Sequence, residues 1–249
     1  MPSRDKESYT IQSVENALDV LEALGEGPDD VRISHLSSRL GLNKTSVFRL
    51  LATFERRGYV EKEDQSGTYR LGLTAYEIGQ KFLMRMNLLR KARPMMERLA
   101  FKCDEAVYLA VPRDDQVLFL DMVDTSQQVK TITLVGQRFS IKETAAGKAI
   151  LATAGNHLDT DKLGLTPDEN RAIVDNGGAI DHGVLGEDIA SVAVPVSDTN
   201  DDHLGALVVV APDFRMGADR IHDQILPLLI EAGEITSSRL GHVDHLINQ

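Results

Sequence analysis

Lys44, Thr45, Ser46 and Arg49 gather two cations and two hydroxyls in a short run just after Asn43. On a helix capped by that asparagine, they occupy the first turns and the flank away from the apolar positions. Their chemistry is that of nucleic-acid recognition. Hydroxyls and the first amides of a helix bond phosphate oxygens, and Arg49 reaches either a phosphate or a guanine edge. Arg39 supplies a cation before the turn, and Lys62 and Arg70 supply two more downstream. The candidate DNA contacts are therefore Arg39, Asn43, Lys44, Thr45, Ser46, Arg49, Lys62 and Arg70. The competing reading is a solvated basic face on a helical module that packs against a protein.

Other groupings carry less. In Thr144-Ala145-Ala146-Gly147-Lys148 the earlier glycine of a phosphate loop is missing, and Ala149 stands where magnesium needs a hydroxyl. Asp181-His182 has no nucleophile placed with it by any motif. The seven histidines, His157, His242 and His245 among them, show no metal spacing backed by cysteines and read as surface groups. Cys103 is the single cysteine, so an intramolecular disulfide is excluded and a small buried hydrophobe is expected. No metal site, no cofactor and no catalytic residue is expected.

Periodicity supplies the elements that must position these residues. Ser34 is placed to cap a helix to Leu40, and Gly41 to end it in the left-handed region. The next helix runs from Asn43 to about Arg57, with Val47, Leu50, Leu51 and Phe54 as its buried stripe. An upstream helix over 14–24 is expected to bury Val14, Ala17, Leu18, Leu21 and Leu24. After Gly58, residues 59–62 and 68–71 flank Asp64-Gln65-Ser66-Gly67, a hairpin with turn chemistry at its tip. Three helices and a hairpin in this order predict a winged helix-turn-helix, which sets one helix in the major groove. Glu63 and Asp64 repel phosphate there, leaving Lys62 and Arg70 to make that contact.

Residues 74–89 read as a linker helix with Tyr76, Ile78, Phe82, Met86 and Leu89 among its apolar members. It is either a dimerising, signal-carrying element or a plain connector. Pro94 is expected to open a further helix to about Cys103. Residues 106–111, 116–123 and 129–134 read as strands, 112–115 as a turn and 145–154 as a helix. Thr166-Pro167-Asp168-Glu169 is a capping box that starts a helix to about Asn176. Residues 179–182, 189–196 and 204–211 are further strands, with 198–202 a hairpin turn. A last helix from about Asp219 is expected to bury Ile221, Ile225, Leu228, Leu229, Ala232 and Ile235, with a kink or break at Pro227. The class is α+β: a winged helix-turn-helix over 1–73, a linker helix over 74–91, and a mixed, largely antiparallel sheet with flanking helices over 92–249.

The chain has 249 residues, enough for two cores, and a formal net charge of −11. That charge is unevenly spread. Residues 1–75 carry 10 Lys+Arg against 12 Asp+Glu, 76–103 carry 7 against 2, and 104–249 carry 10 against 24. From Arg32 to Arg57, Glu55 is the only acid among six bases, so the positive footprint is local. The acidic C-terminal part either repels DNA, so that only the N-terminal part docks, or is the surface of a halophile's protein. The many aspartates and the preference for Arg over Lys favour the second. No apolar run is long enough to span a bilayer and no secretory signal opens the chain, so a cytoplasmic protein is expected.

Residues 135–152, VGQRFSIKETAAGKAILA, and 178–212, with GAIDHGVLGEDIASVAVPV followed by HLGALVVVAP, resemble two C-terminal signatures of the IclR family of transcriptional regulators. The N-terminal module resembles that family's winged helix, so the resemblance covers essentially the whole chain. It implies a GAF-like effector-binding domain and a homodimer or tetramer on a palindromic operator in double-stranded DNA. It also implies control of a catabolic operon by a small-molecule effector. The rival class is a small-molecule sensor or enzyme whose helical module binds a protein partner.

Carried over position by position, the family's effector pocket falls on Ile141, Thr144, Ala145, Ala146, Asp181, Ile189, Ser191, Val208 and Val210. The amides of Ala145 and Ala146 open a helix and can take a carboxylate or hydroxyl. Asp181 can accept from ligand hydroxyls, or simply cap a loop; Ser191 and Thr144 are either ligand contacts or satisfied core hydroxyls. Val208 and Val210 stand where carboxylate-binding members carry serines, Lys142 where histidine is frequent, Ser140 where proline is frequent, and Asp188 where glycine is common. An apolar wall opposite Asp181 suits a sugar lactone, a sugar-derived polyol or an aromatic ring better than a keto acid.

Overall fold

Asn43 begins the helix that the basic residues require. Its side-chain oxygen accepts from the Ser46 amide at 2.8 Å, and α3 runs Lys44–Arg56. A computed structural model describes residues 10–27, 30–153, 165–199 and 203–241. The chain divides into two units, Met1–Arg85 and Met86–Gln249. The end of the helix expected at 145–154, the tip of the 198–202 turn, and His157, His242 and His245 lie outside the described residues.

The first unit places α1 (Gln12–Glu26), α2 (Ile33–Leu40) and α3 before the hairpin β1 (Val60–Lys62) and β2 (Tyr69–Leu71), followed by α4 (Leu73–Arg85). Gly41 ends α2 at φ 66°, and the Ser37 hydroxyl closes the turn by donating to the Leu42 carbonyl at 2.6 Å. Ser34 does not cap α2. The helix begins two residues earlier than that cap implies, at Ile33, after an extended Arg32 that makes no side-chain cap. Val31 is the reason: it exchanges both backbone hydrogen bonds with Tyr69 of β2, so the chain enters α2 from a strand-like position. The core is Val20, Leu24, Leu36, Val47, Leu51, Val60 and Tyr69 with their neighbours. Val14 and Leu18, expected inside, are exposed, because that core reaches only the last turns of α1.

The expected linker helix is two helices. α4 stops at Arg85, Met86 is extended (φ −73°, ψ 107°), and α5 (Asn87–Cys103) begins. No residue of α4 is buried, whereas Leu88 is buried and Met86 and Leu89 pack on the second unit's core. One apolar pattern thus served two different bodies. Pro94 lies inside α5 rather than at its start. Burial of Ala92, Met95, Met96 and Leu99 on the sheet offsets an interior proline's local cost of about 3 kcal/mol.

In the second unit, β3 (Ala106–Arg113), β4 (Gln116–Val123), β5 (Arg138–Ser140), β6 (Ala179–His182), β7 (Ile189–Ser197) and β8 (His203–Pro212) form one antiparallel sheet of order β5-β4-β3-β8-β7-β6. Residues 129–134 are not a strand. β4's free edge pairs with Arg138–Ser140 instead, and Val129 and Ile132 face solvent, with only Leu134 inside. Alternation along the strands splits the core. Val107, Leu109, Val192 and Val209 face α5 and the C-terminal helix, while Tyr108, Ala193, Val208 and Val210 face α6 (Ala145–Thr153). Then α7 (Pro167–Asn176) starts with the Thr166–Glu169 capping box and ends at Gly177, φ 74°. α8 comprises one turn, Ala218–Arg220, a π turn, Ile221–Ile225, and the run Leu226–Leu240. The break expected at Pro227 takes the form of that π turn, which widens the helix where the proline ring would meet the Asp223 carbonyl. Buried Glu105 joins Arg215 at 2.6 Å and Arg220 at 2.8 Å, fastening the start of β3 to the start of α8. Cys103 is buried, and desolvation pushes its thiol up.

Candidate DNA-contacting face and effector pocket

Lys44, Thr45 and Arg49 of α3 are all exposed, while Val47 and Leu51 of the same helix are buried. Among the described residues none of Lys44, Arg49 and Lys62 is ion-paired, so three cations remain available to phosphate. Ser46 is half-buried, and its amide is taken by Asn43, whose oxygen is thereby committed to capping. Arg39 pairs with Glu26. Arg70 forks onto Glu61 across the hairpin at 3.0 and 3.2 Å, so of the two wing cations only Lys62 is unpaired. The sequence counted charges; it could not show which were neutralised.

A cleft of about 620 Å³ runs beside α3, lined by Arg32, Ser34, Lys44, Thr45, Phe48 and the wing tip at Ser66 and Gly67. Arg32 and Phe48 were absent from the candidate contacts. Arg32 falls outside α2, where helical spacing gives no orientation. Phe48 lies outside the expected buried stripe and, being apolar, gives no sign of a polar contact; it is half exposed.

On the α6 side of the second sheet, Asp181 of β6 accepts from the Ala145 amide at 2.5 Å and from the Ser191 hydroxyl at 2.7 Å, both through Oδ2. The Ala145 amide expected to be free for a ligand is therefore occupied. Asp181 is 5% exposed, and its Oδ1 has no hydrogen-bond partner among the described residues. Burial raises its pKa, only partly countered by the Ala145 and Ser191 bonds. Thr144 donates to the Ser140 carbonyl at 3.0 Å and accepts from the Gly147 amide at 3.2 Å, so its hydroxyl is satisfied internally. Register sets Asp181 opposite Ser191 and Ser191 opposite Val210; Val208 lies between Ala193 and Tyr108. Ile141, Ala145, Ala146, Val208 and Val210 are all buried, and Ile189 packs against the same cluster.

Sequence reasoning missed the aromatic end of this layer. Tyr108 and Phe119 meet edge to face at 5.5 Å, and Phe119 meets Phe139 at 5.6 Å. Burial pushes the Tyr108 phenol up, partly offset by the Thr131 hydroxyl alongside. Strand alternation in β3 carried the signal, since Tyr108 shares a face with Ala106 and Ala110. His182 points the other way from Asp181, exposed and 2.6 Å from Asp213, which removes the Asp181-His182 pairing as a unit. His203 departs from the surface reading: it is half-buried, with Nδ1 2.7 Å from the Ser197 hydroxyl.

No described helix is long and apolar enough to cross a membrane, and the described residues hold no cluster of three potential metal ligands.

A winged helix with exposed cations, followed in the chain by an α+β unit with a buried carboxylate, is the architecture of a ligand-responsive DNA-binding regulator. The IclR helix-turn-helix domain matches residues 13–64, and the C-terminal domain of bacterial IclR transcriptional regulators matches 80–162. The chain is 26% identical to the HTH-type transcriptional regulator KdgR of Escherichia coli (strain K12), over 97% of each chain. It is 29% identical to the glycerol operon regulatory protein of Streptomyces coelicolor, over 93% of this chain and 97% of that one. Its fold superposes on an IclR homologue of Microbacterium hydrocarbonoxydans crystallised with 4-hydroxybenzoate, with a TM-score of 0.77 and 22% identity over 92% of this chain and 99% of that one. The chain belongs to the IclR family of transcriptional regulators and is not an enzyme.

Proposed function

We propose that α3 enters the major groove of a palindromic operator, that two or four copies bind it together in the cytoplasm, and that a small sugar-derived or aromatic metabolite acting on the α6 layer controls a catabolic operon. The exposed row Lys44, Thr45 and Arg49 on a capped helix carries the DNA part. Ser46, Asn43, Arg39, Lys62 and Arg70 surround it, with Arg39 and Arg70 needing release from Glu26 and Glu61 to reach phosphate. Assembly rests on α4, where Tyr76, Ile78, Phe82 and Met84 are exposed on a helix that buries nothing of its own. The division into 1–73, 74–91 and 92–249 is taken from the sequence pattern, with the linker segment breaking at Met86 between α4 and α5.

For the effector, Asp181 Oδ1 supports a ligand hydroxyl, since a buried carboxylate oxygen without a partner is costly until something donates to it. Val208, Val210 and the Tyr108–Phe119 pair supply an apolar body beside it. A relative named for a glycerol operon and a neighbour holding 4-hydroxybenzoate fit hydroxylated small molecules.

Anisotropy on DNA from the chain's own upstream region tests the first part. Lys44→Ala should lower affinity about equally for all sequences, and Arg49→Ala by about tenfold or more. Retained affinity in both variants removes α3 from the interface. Thermal-shift screening with sugar acids, lactones and aromatic acids tests the second. A genuine ligand raises the melting temperature of the wild type, and Asp181→Ala abolishes that rise.

A further inference from the structure

Phe48 is the anomaly on the cationic side of α3. A phenyl ring left in water forgoes roughly 1.5–3 kcal/mol of burial, yet Phe48 is 52% exposed. It stands one turn along from Lys44 and Thr45, immediately before Arg49, and lines the cleft with the wing tip. Val47 and Leu51, with Leu50 and Phe54 against them, supply the part of α3 that fills the core of this unit, and Phe48 is not among them. Tyr59 pairs with Phe54, at 6.2 Å, and not with Phe48.

The neighbours select what covers it. An apolar protein surface over Phe48 would desolvate Lys44 and Arg49 with no described carboxylate paired to either. Duplex DNA offers phosphates to the cations and, in the major groove, one apolar group standing out from the base edges, the thymine 5-methyl. We propose that Phe48 determines sequence specificity by packing on a thymine methyl, so that the operator carries thymine at a fixed position beside the base or phosphate taken by Arg49. This rests on DNA contact by α3 and adds a base preference that the cations and hydroxyls do not impose.

The test uses the full chain and a random-sequence duplex library. Selection with the wild type yields a preferred duplex, and each thymine in it is then replaced in turn by deoxyuridine, which keeps every pairing group and lacks the methyl. One replacement should weaken wild-type binding about fourfold, the weight of one buried methyl at about 0.8 kcal/mol. Phe48→Ala should bind the thymine and uridine duplexes equally, while Phe48→Leu keeps part of the difference. Phe48 lies outside the core of its unit, so both variants should keep a cooperative melting transition close to that of the wild type, which reports their folding independently. If the wild type binds its selected sequence but ignores every uridine replacement, the proposal fails alone. A general loss of affinity in Phe48→Ala with the methyl preference intact also overturns it, and marks a sugar contact. A wild type that enriches no sequence overturns both this proposal and the reading of α3 as the groove helix.

Discussion

Asp181 holds a carboxylate where burial disfavours charge, and that has a consequence for stability. Its folded pKa is raised, with desolvation the largest cause. In the unfolded chain an aspartate titrates near about 3.9. Between that value and the raised one, the folded state binds more protons than the unfolded state. Stability is therefore fully present below the unfolded value and falls as pH rises through the folded one. Asp181→Asn keeps an oxygen for the Ala145 amide and removes the ionisation. Its melting temperature should exceed that of the wild type at pH 7, and the two should converge near pH 4. Identical curves across that range would mean that Asp181 ionises unhindered. A ligand hydroxyl donating to Oδ1 favours the ionised form, so effector affinity should rise with pH over the same window, the opposite direction from stability.

Helix α6 is seated by a contact that only glycine permits. A Cβ on Gly147 would lie 1.9 Å from the Ile141 carbonyl oxygen, and the same helix start delivers the Ala145 amide to Asp181. Gly147→Ala should cost about 1–3 kcal/mol and lower the melting temperature by several degrees. Gly79 in α4 meets open space, so Gly79→Ala should gain up to about 1 kcal/mol from helix propensity alone. A Gly147→Ala chain that melts like the wild type would show that α6 is not held against Ile141. Elements of this kind were legible in the sequence where the determinant is local. Gly41, Asn43 and the Thr166–Glu169 box act within a few residues, and all three end or begin helices as expected. Elements decided at a distance were not. Residues 129–134 have strand composition, but β4 has one free edge and Arg138–Ser140 takes it. Periodicity marked Val14 and Leu18 as apolar without showing that the first core is too small to reach them. At the candidate site the cations of α3 were readable as a face. The ion pairs that occupy Arg39 and Arg70 join neighbouring elements, and they and the exposure of Phe48 depend on how those elements pack.

Over the whole molecule, charge is divided between cationic stretches, 32–57 and 76–103, and an acidic C-terminal part, and salt acts on the DNA face and on that part in opposite senses. Residues 104–249 carry 24 acidic against 10 basic residues, so their folded form repels itself. Raising ionic strength from about 0.1 M to 1 M shortens the screening length from about 10 Å to about 3 Å. Self-repulsion then weakens while apolar burial is untouched or strengthened. The DNA face behaves differently. With Lys44, Arg49 and Lys62 unpaired in each copy, a two-copy complex neutralises on the order of six phosphates. Its log affinity should fall with log salt at a slope on the order of −5. Glu61→Gln frees Arg70 from its fork and should steepen that slope by roughly 0.9 per copy. So limited a slope would leave base contacts, and the linkage of two copies assembled as proposed, to sustain binding at high salt. Melting curves and anisotropy titrations from 0.05 to about 1 M KCl check both halves together. The melting temperature should rise across a range in which DNA affinity falls. A chain that is most stable in dilute buffer and unfolds as KCl is added would show that its acidic surface is not an adaptation to salt.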